Sequence, residues 1–164
     1  NIMDVEGALD VDDSMLRMAD VLLAGYHFGS LNKDVRATSV MHRLNFHSRI
    51  SKSAAVKAKA ANTQAMTAAM YRYKIKILTH PGAKGPVDLD ALAKAALETG
   101  TALEINASHG FLTYEDLLVV KDSGCLFSIN SDAHKPEDIG RFEPAIERAL
   151  RAEIPCSRII NCEE

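Results

Sequence analysis

Imidazole and carboxylate side chains recur in this sequence at the points where apolar runs end. The runs are ADVLLAGYH, which ends at His27, YKIKILTHPG, which carries His80 before a Pro-Gly turn, and CLFSINSDAH, which reaches Asp132 and His134. The carboxyl ends of parallel strands meet at one mouth of an α/β fold, so we expect these four side chains to share a pocket. Imidazole nitrogens and a carboxylate are ligands that suit Zn, Mn or Fe. The pattern therefore predicts a metal-dependent hydrolase.

The apolar runs alternate with segments that predict helices. Predicted strands cover residues 20–25, 75–79, 102–106 and 125–130, with a final short strand at 158–162. The strands are apolar on both faces, which is typical of a parallel sheet. Right-handed crossovers place the helices on the outside of such a sheet. No GxGxxG turn follows a strand, so a barrel, or part of one, fits better than a Rossmann sheet.

Capping residues predict where the helices begin. Asn62 is the expected N-cap of a helix that runs to about Tyr73, and Asp88 caps a helix that ends at Gly100. Thr113 opens a third helix that ends near Val120. Pro136 is placed where a helix can begin, and the residues after it give one apolar stripe. The stripe consists of Phe142, Ile146, Ala149 and Leu150.

Residues 28–61 interrupt the alternation of strands and helices with a long connection. Such connections are usually functional or flexible. Within residues 31–61 there are seven cationic side chains and one acidic one, a net charge of +6, in a chain whose net charge is −3. The remainder therefore carries about −9 (−3 minus +6). This asymmetry suggests a polyanionic partner or substrate. A solvated helix face would have the same composition.

The bulk composition indicates one globular domain with a core of its own. No apolar stretch is long enough to span a bilayer, and the acidic first ten residues do not resemble a signal peptide. The three cysteines show no close paired spacing, so we expect them to be reduced. Together these features predict a cytoplasmic protein with no membrane partner.

Each candidate ligand also has a structural interpretation. His27 or His80 alone could be a core histidine bonded to a carbonyl group. Asp132 and His134 are two residues apart and would point the same way from an extended strand end, but Asp132 could equally belong to a turn before Pro136. Convergence of three βα junctions on one edge favours the metal-binding interpretation.

Other polar residues near the strand ends have weaker signals. Glu104 and Asn106 could orient a metal-bound histidine, or could be a buried and mutually satisfied polar pair. His109 is expected to be mainly a surface residue, although it could meet a leaving phosphate. His42 and His47, in the basic segment, are not expected to be ligands. Neither a GxSxG elbow nor an activated cysteine is present, and Cys125 is expected to be structural.

The ordered motifs GYH, NTQAM, ILTHPG, ALEINAS and INSDAH resemble those of the PHP (polymerase and histidinol phosphatase) superfamily, in particular its small stand-alone phosphoesterases. The resemblance spans nearly the whole chain except for a basic insertion at about 31–61. It implies a distorted (β/α)7 barrel whose mouth holds up to three divalent ions. It further implies that His27 and His80 belong to one metal site, Asp132 to a second and His134 to a third.

Several ligands of that family pattern have no counterpart in this sequence: an HxH motif, two further histidines and a bridging glutamate. The first eleven residues resemble the hairpin that follows the glutamate, with a turn near Glu6-Gly7. We therefore expect the chain to be the carboxyl-terminal part of a PHP domain, lacking the opening strands. From this we expect weak or absent metal occupancy, no measurable phosphatase activity, and self-association through an exposed barrel edge.

The resemblance implies that a complete domain hydrolyses a small phosphorylated substrate with a metal-activated water. Positive charge from Lys33, Arg36 and Lys84 would attract the phosphate. One alternative is a non-catalytic PHP module that acts as a scaffold or as a contact for nucleic acid or protein through its basic insertion. Another is an amidohydrolase-type barrel, but no lysine ends a strand here as the metal-bridging lysine of that class would.

Overall fold

Four short parallel strands form the centre of the protein. The computed structural model describes residues 1–29 and 35–163, without the side chains of residues 35–39. The strands are β1 (Leu23–Ala24), β2 (Ile77–Leu78), β3 (Ala102–Asn106) and β4 (Leu126–Asn130). They pair in the order β1-β2-β3-β4, and every pairing is parallel. This confirms the predicted α/β class, and the arrangement is that expected of part of a β/α barrel.

Helices connect the strands and cover the sheet. They are α1 (Asp13–Met18), α2 (Val35–Ser48), α3 (Lys52–Arg72), α4 (Leu89–Thr99), α5 (Tyr114–Val120) and α6 (Glu143–Arg151), with 3-10 turns at Pro136–Asp138 and Cys156–Arg158. The predicted caps of α4 and α5 are confirmed. Asp88 accepts the N–H of Ala91, and Thr113 with Asp116 forms a reciprocal capping box. None of the helices in residues 1–29 and 35–163 combines the length and apolarity needed to cross a membrane.

The long connection between β1 and β2 is largely helical, with α2 and α3 packed as a hairpin. The prediction that Asn62 caps a helix is wrong, because α3 begins at Lys52 with Ser51 as its N-cap. Asn62 instead lies buried within α3 and exchanges amide hydrogen bonds with Asn45 of α2. Its polar character therefore serves a contact between helices rather than a helix end.

The carboxyl-terminal segment also differs from its prediction. Residues 158–162 form no strand, and Ile159 makes only an isolated parallel bridge to Phe127. The side-chain amide of Asn161 takes the place of a strand partner: it accepts the N–H of Ile129 at 3.0 Å and donates to the carbonyl of Ile129 at 2.7 Å. The edge of β4 is thus partly satisfied by a side chain.

The expectation that all three cysteines are reduced is wrong for one pair. Cys156 and Cys162 form a disulfide, because the 3-10 turn between them brings their Cα atoms to 5.6 Å. Cys125 is free and buried, in agreement with a structural role.

Helix α6 faces the core through its small side chains, so Ala149 of the predicted stripe is buried and the larger residues of the stripe are not. Ala145 and Ala149 are buried, whereas Ile146 is 42% exposed and Leu150 is 70% exposed. The alanines let α6 approach β3 and β4 closely, and the larger apolar residues remain on its outer face.

The amino-terminal residues form the expected hairpin, with an antiparallel bridge between Ile2 and Leu9. The hairpin turns through Gly7, whose φ is +73°. An added Cβ on Gly7 would lie 2.3 Å from the backbone nitrogen of Ala69, so the turn packs directly against α3. The N–H of Ile2 also donates to the carbonyl of Gly25, which anchors the hairpin beside the end of β1.

Candidate metal centre

The four predicted ligands lie at the carboxyl edge of the sheet. His27 follows β1, His80 follows β2, and Asp132 and His134 follow β4. The Nε2 atoms of His27 and His80 are 3.1 Å apart, and the two rings meet edge to face with their centroids 4.8 Å apart. The structure therefore brings together two imidazoles that are 53 residues apart in sequence.

His109 connects this pair of imidazoles to Asp132 and His134. Its Nε2 lies 3.3 Å from Oδ2 of Asp132, and its ring centroid is 5.8 Å from that of His80 and 6.2 Å from that of His134. The Nδ1 of His134 lies 2.8 Å from the carbonyl oxygen of Asp132. All four predicted ligands are thus joined in one group with His109.

The sequence predicted that His109 is mainly a surface residue. Its side chain is 35% exposed, so a surface position is confirmed, but it also contacts a candidate ligand. The loop places it there because its backbone N–H donates to Oδ1 of Asn106 at 2.6 Å. The sequence does place His109 three residues after the end of β3, and the other histidines of the group likewise follow strand ends.

Glu104 and Asn106 form a buried polar cluster beneath these groups. Oε2 of Glu104 accepts the backbone N–H of His80 at 2.5 Å and an amide N–H of Asn106 at 3.0 Å. Its Oε1 accepts from the amide of Asn130 at 2.8 Å. The Asn106 amide also donates to Oδ2 of Asp132 at 3.0 Å. Glu104 and Asn106 therefore satisfy each other's hydrogen bonds and also contact two candidate ligands. Glu104 contacts the backbone of His80, not its ring, and Asn106 contacts the carboxylate of Asp132.

Two of the candidate ligands have an unfavourable backbone conformation. His80 has φ +30° and Asp132 has φ +50°, in the left-handed region that non-glycine residues seldom adopt. Strain of this kind persists where surrounding contacts hold the residue, and it concentrates at functional sites. The Glu104 bond to His80 N–H and the Asn106 bond to Asp132 are contacts of that type.

Gly25 allows the ends of β1 and β2 to approach each other. A Cβ at this position would lie 2.0 Å from Oγ1 of Thr79, so no larger residue fits without displacement. Thr79 precedes His80, and Gly25 lies two residues before His27. The close approach of these two segments explains why the imidazoles meet.

Burial favours the neutral form of both histidines of the pair. It lowers the pKa of His80 to about 4, with a further contribution from the positive charge that His27 would carry. Burial, followed by the charges of the amino terminus and Lys84, also lowers the pKa of His27. A neutral imidazole is the form that binds metal ions, so the electrostatics suit metal binding.

Of the residues predicted to attract phosphate, only Lys84 can be placed. It is half-buried in the loop after His80, and its charge acts on His27. Lys33 and the side chain of Arg36 lie outside the described residues, so their predicted role stays a prediction.

The donor set fits a metal centre in chemistry but not in number. Imidazole nitrogens and a carboxylate are appropriate ligands for zinc, manganese or iron. Within the part of the chain that the structure describes, however, no three histidine, cysteine or acidic side chains are arranged to hold one ion together. The described residues therefore supply part of a site, centred on the His27–His80 pair.

Known proteins similar to this chain share one name. The chain is similar to proteins called probable phosphatases. It is 31% identical to probable phosphatase YcdX of Escherichia fergusonii, 32% to a probable phosphatase of Serratia proteamaculans and 29% to one of Proteus mirabilis. Each match covers 98% of the chain but 60% of the relative, so the chain spans less than two thirds of the length of these probable phosphatases. No protein-family model matches the chain.

Proposed function

We propose that this chain is part of a PHP-type, metal-dependent phosphatase domain that acts on a small phosphate ester. His27, His80, Asp132 and His134 would hold divalent ions, with zinc, manganese or iron as candidates. The main support is the 3.1 Å approach of the His27 and His80 nitrogens on the rim that also carries Asp132. Similarity to probable phosphatases over nearly the whole chain supports the same reaction class.

Bound ions would supply phosphate binding and a water molecule of lowered pKa. The protein's own residues orient the site. Glu104 fixes the backbone of His80, and Asn106 fixes the carboxylate of Asp132, through hydrogen bonds that are in place in the structure. Lys84 provides positive charge beside the imidazole pair and would attract an anionic substrate.

We further propose that the chain by itself binds metal weakly and does not turn over substrate. The proposal follows from the donor count, because two imidazoles leave most coordination positions of an ion to water. The relatives have additional length that this chain does not match, and further ligands would come from there.

The decisive experiment is a phosphatase assay on p-nitrophenyl phosphate with added zinc, manganese or iron. The 164-residue chain should show no hydrolysis above a metal-only blank. A chimera in which this chain replaces the matching 60% of the Escherichia fergusonii relative should hydrolyse the substrate and lose activity on His80→Ala. A folded but inactive chimera would contradict the proposed function, and turnover by the chain alone would contradict the incomplete site.

A second candidate function is that of a PHP module which binds a polyanion such as nucleic acid. It is favoured by residues 35–87, which contain ten lysine or arginine residues and no aspartate or glutamate. Exposed cations of the hairpin are found in α2, in the turn after it and in α3: Arg43, Arg49, Lys52 and Lys57. Fluorescence anisotropy with a single-stranded oligonucleotide would show binding that weakens steeply with salt. Binding that is insensitive to a double substitution Arg43→Gln and Lys57→Gln would contradict it.

A further inference from the structure

We propose that the α2–α3 hairpin is a positioning device for the candidate metal centre, and that His42 is its main positioning residue. A partly buried polar network in the hairpin contacts the two loops that carry His27 and His80. The inference deepens the proposed function, because it assigns a role toward the same site to a segment outside its ligands.

His42 of α2 holds the loop around His27. Its Nε2 accepts the backbone N–H of Gly29 at 2.7 Å, and its Nδ1 lies 3.2 Å from the hydroxyl of Tyr26. The ring also stacks on Phe28, with the centroids 4.9 Å apart and the planes inclined by 21°. His42 thus contacts residues on both sides of His27.

Both ring nitrogens of His42 are engaged in these contacts. Because Nε2 accepts the N–H of Gly29, the proton of a neutral ring lies on Nδ1 and is donated to the Tyr26 oxygen. Both nitrogens are therefore occupied by Tyr26 and Gly29, whereas the Nε2 atoms of His27 and His80 face each other.

Asn45 and Asn62 hold the loop after His80. They exchange two amide hydrogen bonds, of 2.8 and 2.7 Å, and are 3% and 1% exposed. Asn62 also donates to the carbonyl of Pro86 at 2.9 Å. Gly85 packs directly against the pair, since a Cβ there would lie 1.8 Å from Oδ1 of Asn45.

The two halves of the network start from the same helix. His42 and Asn45 lie three residues apart on α2, and Tyr26, whose hydroxyl faces His42, is only 2% exposed. One set of contacts therefore runs from α2 to Tyr26 and Gly29, and the other runs from α2 through Asn62 to Pro86. Polar networks whose members are satisfied favour one arrangement. Here they favour the arrangement in which the two loops bring their imidazoles together.

The test uses NMR on the metal-free chain and its affinity for Zn²⁺ alone. In the wild type, nuclear Overhauser contacts between the rings of His27 and His80 should be strong. His42→Leu should abolish them and weaken Zn²⁺ binding by roughly tenfold, the lower end of the loss seen for residues that orient ligands. His42→Gln keeps an acceptor for the Gly29 N–H and should restore most of the ring contact.

Thr101→Val is the matched control. Thr101 is buried and donates to the carbonyl of Ile75 at the amino end of β3, on the opposite edge of the sheet. Loss of the Thr101 hydroxyl should lower the stability of the protein while leaving the contact between the His27 and His80 rings and the Zn²⁺ affinity unchanged. Equal effects of Thr101→Val and His42→Leu would show a purely structural role and overturn the proposal.

Gly85→Ala provides a second perturbation if circular dichroism shows that His42→Leu is unfolded. Its added methyl group must displace the Asn45–Asn62 pair, so it should also separate the two rings. Unchanged ring contacts in a folded Gly85→Ala or His42→Leu variant would overturn the proposal. Wild-type protein with close rings but no Zn²⁺ binding would contradict the metal centre and leave the positioning result intact.

Discussion

The carboxylate of Glu104 accepts the backbone N–H of His80 at 2.5 Å, so strand β3 fixes the main chain of a candidate ligand on its neighbour β2. Glu104 is 3% exposed, and it accepts hydrogen bonds from N–H groups of His80, Asn106 and Asn130. A buried carboxylate surrounded only by donors is stable without a cationic side chain in contact with it.

Replacing Glu104 with glutamine should destabilise the protein strongly. The new amide group would present an N–H to at least one of these donors and leave it unsatisfied, at a cost of about 2–3 kcal/mol. Urea unfolding would measure the change. The exposed Glu137→Gln should stay within about 0.5 kcal/mol of the wild type. A similar small change for Glu104→Gln would show that the cluster does not support β3 and His80.

The metal-free protein should lose stability as the pH falls from about 6.5 to about 4. Since the pKa of His80 is lowered to about 4, the unfolded chain binds a proton in this range that the folded chain does not. The stability is therefore fully present above the unfolded pKa of about 6.5, and the loss on acidification is on the order of 2–3 kcal/mol. Urea unfolding at several pH values would measure it. His80→Gln should flatten the dependence, and an equally steep curve in that variant would contradict the assigned cause.

Removing the Asn161 side chain should open the edge of β4. Asn161→Ala loses two hydrogen bonds to the backbone of Ile129, at about 1 kcal/mol each. Asn161→Asp keeps the acceptor for the Ile129 N–H and should protect that amide better. Hydrogen exchange at Ile129 would rank the three proteins. Equal protection in all of them would mean that the side chain does not cap the strand.

We expect the chain to self-associate through the edge strand β1. Leu23 is 48% exposed at this edge, where the strand has a partner on only one side among the described strands. Light scattering should show a mass above that of the monomer, and Leu23→Lys should reduce it. Leu118→Lys, on the exposed face of α5, is the control. A monomeric wild type, or equal effects of both substitutions, would contradict association through β1.

Local signals in the sequence predicted much of the fold. Strand positions follow from apolar runs, and the caps at Asp88 and Thr113 satisfy N–H groups three residues ahead, so both are readable within one short window. The shared edge of His27, His80, Asp132 and His134 follows from parallel topology, which the alternation of strands and helices already implies. Their roles as metal ligands stay a prediction.

The features that sequence reasoning missed depend on distant partners. Asn62 carries the signature of a cap, yet it is buried because Asn45 meets it across a helical hairpin. The Cys156–Cys162 disulfide depends on a turn whose closure was not readable from the spacing. The place of His109 beside Asp132 depends on its loop conformation, fixed by Asn106.

Whether His27 and His80 form the core of an incomplete metal site can be measured by following histidine side-chain NMR signals during a Zn²⁺ titration. We expect the His27 and His80 signals to shift together and before that of His47. The dissociation constant should be weaker than about 1 μM, because water must fill the remaining coordination positions. Signal changes that begin at His47 and leave the signals of His27 and His80 unchanged would contradict a metal site at these two histidines. Tight stoichiometric binding of two or more ions would contradict its incompleteness.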